Sequence, residues 1–304
     1  MSGIAFLFPG QGSQQAGMGV ELLEDPEIRE LAGECSEAAD VDLVRLLTAA
    51  DEDELRLTTN AQPALLFVGV ALTRLLARRG FSPSAVAGHS VGEYTALCVA
   101  GSLSPQEAVK AVVERGRAMA QAAPPGTSSM AAVLGLEPDA VEAALIGVPD
   151  VWPANYNTPT QTVIAGTMLG LERATERLRD AGARRVVPLN VAAAFHTPLM
   201  EPAGAALRST LDLLEWRPHT VPVVANLTAA PYEDASAISA GLERQLSSPV
   251  RWADSVRRLS SLGCDAFWEL GPKRALTGMM NELAPDASSK AIATPGAVEQ
   301  LQPA

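Results

Sequence analysis

At Ala122–Ser129 the chain reads AAPPGTSS, and the period of its apolar residues differs on the two sides of that break. Before it, short apolar runs alternate with longer helical patterns: a strand at Ile4–Phe8, a helix at Pro63–Arg79, a strand at Ala85–Gly88 and a helix at Ser104–Ala123. Alternation of this kind predicts a parallel sheet covered by helices, because two parallel strands need a crossover long enough to hold a helix. After the break come a strand (Met130–Leu136), a helix (Pro138–Ile146), two strands (Val151–Asn155, Gln161–Gly166), a helix (Gly170–Ala181) and a strand (Arg184–Leu189). That β-α-β-β-α-β order is that of a ferredoxin-like unit, which can close a small sheet by itself. The chain then returns to the first pattern, with strands near Val221–Ala225 and Ala266–Leu270 and helices near Pro202–Leu214, Ala237–Leu246 and Trp252–Leu262. From Pro285 onward the pattern is poor and the stretch reads as peripheral. The expectation is an α/β protein whose large domain, 1–126 and 193–304, carries a small inserted ferredoxin-like subdomain, 127–192. Such an insert makes a cleft, and ligands favour domain junctions.

Composition narrows the class. With 47% hydrophobic and 19% charged residues over 304 positions the chain can bury a sizeable core and reads as a globular enzyme. A formal net charge of -12 argues against nucleic-acid binding, which needs a basic surface to neutralise phosphates. The apolar segments are interrupted before the roughly 20 residues that span a bilayer, and no basic stretch precedes an apolar one at the start, so a cytoplasmic protein without membrane contact is expected. Cys35, Cys98 and Cys264 are too few and too scattered for a disulfide framework or a zinc cluster, and read as small buried hydrophobes.

One stretch announces chemistry. In VAGHSVGEYT, Val86–Thr95, a serine stands between glycines in the pattern G-x-S-x-G, with a short apolar strand before it and a helix rich in small residues after it. This is the order of a nucleophile elbow, in which the chain reverses from strand to helix and presents the serine at the apex. It makes the large domain α/β-hydrolase-like. The N–H groups that open the helix have no intrahelical partner and can receive developing negative charge.

Ser90 needs a base within hydrogen-bond reach, and three histidines are available. His89 precedes the serine and reads as packing behind the elbow. His219, in WRPHTVPV, reads as a turn residue. His196, in AAFHTPLM, ends an apolar segment where strand ends gather, and is the best candidate. The glycine-rich loop PGQGSQ, Pro9–Gln14, follows the first strand but lacks the lysine of a phosphate-binding loop. In AVVERGRAM, Gly116 costs a helix about 1 kcal/mol relative to alanine, which points to a close approach there.

Eight segments in order, FPGQGSQQAGMG (Phe8–Gly19), AQPALL (Ala61–Leu66), GHSVGEYTAL (Gly88–Leu97), ERGRAM (Glu114–Met119), QTVIAG (Gln161–Gly166), AAFHTPLM (Ala193–Met200), RQLSSPVRW (Arg244–Trp252) and ELGPKRALTGM (Glu269–Met279), resemble the malonyl-CoA:acyl carrier protein transacylases. The resemblance implies that Ser90 accepts the acyl group, that His196 is its base, and that the main-chain carbonyl of Gln245 orients the histidine in place of an acid. It implies an oxyanion hole from the backbone N–H groups of Gln11 and Val91. It implies that Arg115 grips the free carboxylate of the malonyl group, with Gln62 lining the same site. A guanidinium can hold a carboxylate through two parallel bonds, which lysine cannot. The mechanism implied is ping-pong, with malonyl-CoA as donor, the phosphopantetheine thiol of a carrier protein as acceptor, and no bound cofactor or metal.

Phe195, before the histidine, and the aliphatic Val91 match the polyketide-synthase acyltransferases that choose malonyl, which favours a trans-acting enzyme of a polyketide assembly line. Ala193 replaces the histidine usual in that tetrapeptide and widens the pocket. Two further readings are a transacylase of fatty acid synthesis and an acyl-thioester hydrolase on the same scaffold; Arg115 argues against the hydrolase, since simple acyl groups offer no carboxylate. A non-catalytic docking module is disfavoured by the intact Ser90 and His196. Carrier proteins are acidic, so docking needs a local basic surface; Arg74, Arg78 and Arg79, Arg184 and Arg185, and Lys273 with Arg274 are the arginine- and lysine-rich places.

Overall fold

Strand β1 (Gly3–Phe8) is buried along nearly its whole length, with Phe6 and Phe8 turned to one face of its sheet and Ala5 and Leu7 to the other. A strand covered on both faces belongs at the centre of a helix-flanked parallel sheet. The computed structural model describes residues 3–124 and 126–302 and shows that arrangement. In chain order the other strands are β2 (Ala85–Gly88), β3 (Ser128–Leu134), β4 (Val151–Thr158), β5 (Gln161–Thr167), β6 (Arg185–Pro188), β7 (Val223–Val224), β8 (Cys264–Leu270) and β9 (Ser288–Ile292).

The described strands form two sheets. The larger is parallel throughout in the order β7-β2-β1-β8-β9, and the smaller is antiparallel in the order β4-β5-β3-β6. One face of the large sheet packs on the helices Pro26–Ala39, Thr58–Arg78, Pro105–Ala122 and Glu201–Asp212; the other carries the helix Trp252–Ser261 and Met280. The small sheet has its own apolar layer, in which Ala131, Val133 and Ile164 meet Val141, Leu145, Leu171 and Leu178 of the helices Pro138–Leu145 and Met168–Asp180. A seam joins the sheets: Val250 pairs with Asn155, giving its N–H to Ala154 O at 2.9 Å and accepting from Tyr156 N–H at 2.9 Å.

Two expectations change. The stretch beyond Pro285 is not peripheral: β9 forms an edge of the large sheet, and Ile292, Val298 and Leu301 are buried. Its sequence, SSKAI, lacks apolar alternation because an edge strand meets solvent along most of its length. The helix expected to start at Pro63 starts at Thr58, with Pro63 in its second turn. At 21 residues that helix is long and apolar enough to cross a membrane by length and composition, but 72% of its most apolar window is buried inside the fold. Gly116 permits the close approach expected of it, since a Cβ there would lie 3.0 Å from both Thr58 O and Thr59 Cα.

Candidate active site

The C-terminal ends of β1 and β2 lie side by side and release the two loops that build the site, Pro9–Gln14 and the elbow at Gly88–Gly92. Ser90 holds φ at +54°, a left-handed conformation that costs a side-chain-bearing residue of the order of 1–3 kcal/mol. The glycines on either side are compulsory: a Cβ on Gly88 would lie 1.8 Å from Gly92 C, and one on Gly92 would lie 2.1 Å from Phe8 O. What holds the turn is Asn226, fully buried just beyond β7. Its Oδ1 accepts from Ser90 N–H at 2.7 Å and its Nδ2 donates to Gly88 O at 2.6 Å, closing the elbow with both halves of one amide.

His196, the expected base, lies beside the serine. His196 Nε2 lies 2.8 Å from Ser90 Oγ, and its Nδ1 lies 2.9 Å from Gln245 O. A carbonyl only accepts, so Nδ1 carries the ring proton and Nε2 is free to take the serine's. The residue after Gln245 anchors the histidine's backbone, Leu246 O accepting from His196 N–H at 3.1 Å, and this clamp fixes His196 at φ +61°. His196 is 4% exposed. Burial, and then the positive charge of Arg115, push the imidazole down from 6.5 to about 3, so the ring is neutral at physiological pH.

Arg115 is buried. It is 1% exposed and donates from Nη1 to Gln62 Oε1 at 2.9 Å, and from Nη2 to Ser90 Oγ at 3.1 Å and Gln245 Oε1 at 3.0 Å. Its guanidinium stands 5.6 Å from the Tyr94 ring centroid, within cation–π range. Gln62 is itself fixed by its Nε2 on Met119 Sδ at 3.3 Å. A cation held against a serine oxygen favours the alkoxide and binds an anion delivered to that oxygen.

Among the described residues no protein acceptor takes the N–H of Gln11 or of Val91. The Gln11 side chain donates from Nε2 to Thr58 Oγ1 at 3.3 Å. Phe195, Ala193, Met119, Val191 and Leu57 line a largely apolar cavity of about 330 Å³. Of the other histidines, His89 lies against Trp252, ring centroids 5.5 Å apart, and meets Asn157 Oδ1 through Nε2 at 3.0 Å, while His219 sits in the loop before β7. Among the described residues no group of three or more His, Cys, Asp or Glu side chains is placed to hold a metal ion.

Residues that sequence reasoning passed over complete the site. Behind the elbow the buried Glu93 accepts from Tyr232 Oη at 2.6 Å, Asn226 N–H at 3.0 Å and Gln245 Nε2 at 2.8 Å. Gln245 Nε2 also donates to Ser90 O at 3.0 Å. Glu93 carried a signal, an acid in a helix otherwise made of apolar and small residues, GEYTALCV. Its partners Asn226 and Tyr232 lie 133 and 139 positions away, and nothing local links them.

A family model for the acyl transferase domain matches residues 5–295, so the serine and histidine belong to an acyl transferase. Two curated relatives are malonyl CoA-acyl carrier protein transacylases: that of Bacillus subtilis is 40% identical over 304 residues, covering 98% of this chain and 96% of its own, and that of Escherichia coli K12 is 38% identical over 303 residues, covering 98% of each. Among solved structures, the malonyl-CoA:acyl carrier protein transacylase of Xanthomonas oryzae superposes with a TM-score of 0.94 at 41% identity, over 98% of this chain and 97% of the other. A malonyl-transacylase solved in complex with a type II polyketide-synthase acyl-carrier protein superposes with a TM-score of 0.94 at 37% identity, over 98% of each chain. The chain belongs to the malonyl-CoA:acyl carrier protein transacylase family.

Proposed function

We propose that the protein moves a malonyl group from malonyl-CoA to the phosphopantetheine thiol of an acyl carrier protein through an acyl-enzyme on Ser90. The observation that carries this reading is the buried guanidinium of Arg115 at 3.1 Å from Ser90 Oγ, a cation placed to select an acyl group that bears its own carboxylate. His196 Nε2 takes the Ser90 proton as Oγ attacks the thioester carbonyl. The oxyanion is received by the N–H groups of Gln11 and Val91, one good donor being worth roughly 3 kcal/mol in such a hole. CoA leaves as its sulfur takes the proton from Nε2. The carrier thiol then gives its proton to Nε2 and attacks the Ser90 ester, and Oγ recovers its proton as the malonyl thioester departs. Gln245 O keeps the imidazole in the required tautomer throughout, and Gln62 keeps Arg115 aimed.

The two sheets support a division into a large unit, 1–126 and 193–304, and a small one, 127–192, with the acyl site proposed at their junction. Phe195 and Val91, next in sequence to His196 and Ser90, support malonyl over branched extender units, and the resemblance at Phe195 to polyketide-synthase acyltransferases supports a trans-acting role on a polyketide carrier, with a fatty-acid carrier as the alternative. The test is intact-protein mass after mixing with malonyl-CoA or acetyl-CoA. The expected result is a malonyl adduct formed far faster than an acetyl one and discharged by carrier thiol, and a panel of fatty-acid and polyketide carriers then ranks the acceptors. Equal adducts from the two donors would overturn the reading.

A further inference from the structure

Two opposite charges are buried behind the serine, and they do not touch. Arg115 and Glu93 are each 1% exposed. Among the described residues, every hydrogen bond that Arg115 donates ends on a neutral oxygen, those of Gln62, Ser90 and Gln245. Among the described residues, every bond that the Glu93 carboxyl group accepts comes from a neutral donor, Tyr232 Oη, Asn226 N–H or Gln245 Nε2. A buried ion without a partner of opposite sign is costly, and removal of one member of a buried pair strands the other.

The side-chain amide of Gln245 binds both. Its Oε1 accepts from Arg115 Nη2 at 3.0 Å and its Nε2 donates to Glu93 Oε2 at 2.8 Å, so the amide dipole lies between cation and anion in the direction that each favours. We infer that Glu93 is the resident counter-ion of Arg115, held one amide away so that the guanidinium is compensated without being occupied. A carboxylate bound directly to Arg115 would have to be displaced by each incoming substrate carboxylate. An amide relay supplies the compensation and leaves only neutral groups on the guanidinium, which an incoming carboxylate can displace without breaking an ion pair. Burial pushes the Glu93 carboxyl above its ordinary value, against the bonds from Tyr232, Gln245 and Asn226 and then attraction to Arg115; burial lowers the Arg115 guanidinium, against Tyr94 and then Glu93. The inference rests on the proposed role of Arg115 and makes Glu93 a positioning residue that sets how strongly the site takes anions.

The experiment is inhibition of malonyl transfer by nitrate, a small anion that stays ionised across the working pH range, in wild type, Glu93→Gln and Tyr232→Phe. Loss of the counter-ion leaves Arg115 as a bare buried cation, so the nitrate inhibition constant of Glu93→Gln falls by at least about fivefold, the lower end of ordinary coupling between sites. Tyr232→Phe removes one hydrogen bond to Glu93 and keeps its charge, and its nitrate constant stays within about twofold of wild type. A constant unchanged in Glu93→Gln, or lowered equally in Tyr232→Phe, overturns the inference and leaves Glu93 a packing residue. Should Glu93→Gln fold too poorly to assay, a stability cycle with Arg115→Met decides. Compensated charges predict that Glu93→Gln weakens the folding equilibrium at least about tenfold less in the Arg115→Met background than alone; simple additivity refutes the pairing. Absence of a malonyl adduct on wild-type Ser90 would instead sink the proposed function, and the stability cycle would still test the charge pair.

Discussion

A histidine with the ordinary value of 6.5 is only about 3% neutral at pH 5, whereas one held at about 3 is about 99% neutral there. The perturbation is therefore pH alone, and the quantity is kcat/KM for acylation of Ser90, which reports the base in the free enzyme. The structure predicts that acylation by malonyl-CoA at pH 5 stays within about twofold of its value at pH 7.5, where an unperturbed histidine would lose about 30-fold. Two causes set the margin, burial of the ring first and the Arg115 charge second. Arg115→Met removes the second and moves the acidic limb up toward 6.5 without reaching it. The assay is rapid quench followed by intact-protein mass at substrate well below KM, with near-UV circular dichroism at each pH to confirm the fold. Stability carries the same proton with a defined sign. Because the folded-state value lies below the unfolded one, this contribution is whole above pH 6.5 and is lost progressively as pH falls from 6.5 toward about 3. A half-loss of acylation centred near 6.5 in the wild type would refute the reasoning and place the ring in water.

Arg115→Ala lowers malonyl transfer by at least about 30-fold, or roughly 2 kcal/mol, and acetyl transfer much less, because only malonyl loses a buried partner. Lysine there restores part of the malonyl activity, and an unchanged ratio of kcat/KM for the two donors would show Arg115 to be a purely structural residue. Ser90→Ala abolishes the covalent adduct while leaving the fold intact, which labelled malonyl-CoA and denaturing chromatography check; His196→Ala slows acylation at least about 10²-fold. Asn226→Ala removes both bonds that close the elbow and costs about 2–4 kcal/mol in urea unfolding, with a matching fall in kcat. A loss under about 0.5 kcal/mol would mean that the glycines alone hold the turn.

The order of elements was legible because each short apolar run sits between turn residues, and the change of period at Ala122–Ser129 marks where one sheet gives way to the other. Boundaries were less so. Pro63 looks like a first-turn residue, yet the helix reaches back to Thr58: a proline in the second turn forfeits the bond to the carbonyl four residues before it and crowds that carbonyl, a cost that burial of the surrounding helix offsets. β9 was invisible for want of alternation. At the site, Ser90 was legible from its own glycines, and His196 from its place after an apolar run. Arg115 was not: by composition it belongs on a solvated face, and only the resemblance gave it a role. The network of Glu93, Asn226 and Tyr232 is assembled by tertiary contact across more than a hundred residues, and no local pattern encodes it.

The carbonyl of Gln245 that orients His196 bears no formal charge. A carboxylate in its place would stabilise the imidazolium and strengthen the base toward every nucleophile, water included. With the proposed roles, a neutral orienter sets up a kinetic partition between two acceptors. A thiol, which ionises near pH 8.5, needs little help to attack an ester. Water, a far weaker acid, needs a great deal. The weak base therefore turns the Ser90 ester into a storage form: it outlasts encounters with solvent, and its lifetime is set by how soon a carrier thiol arrives.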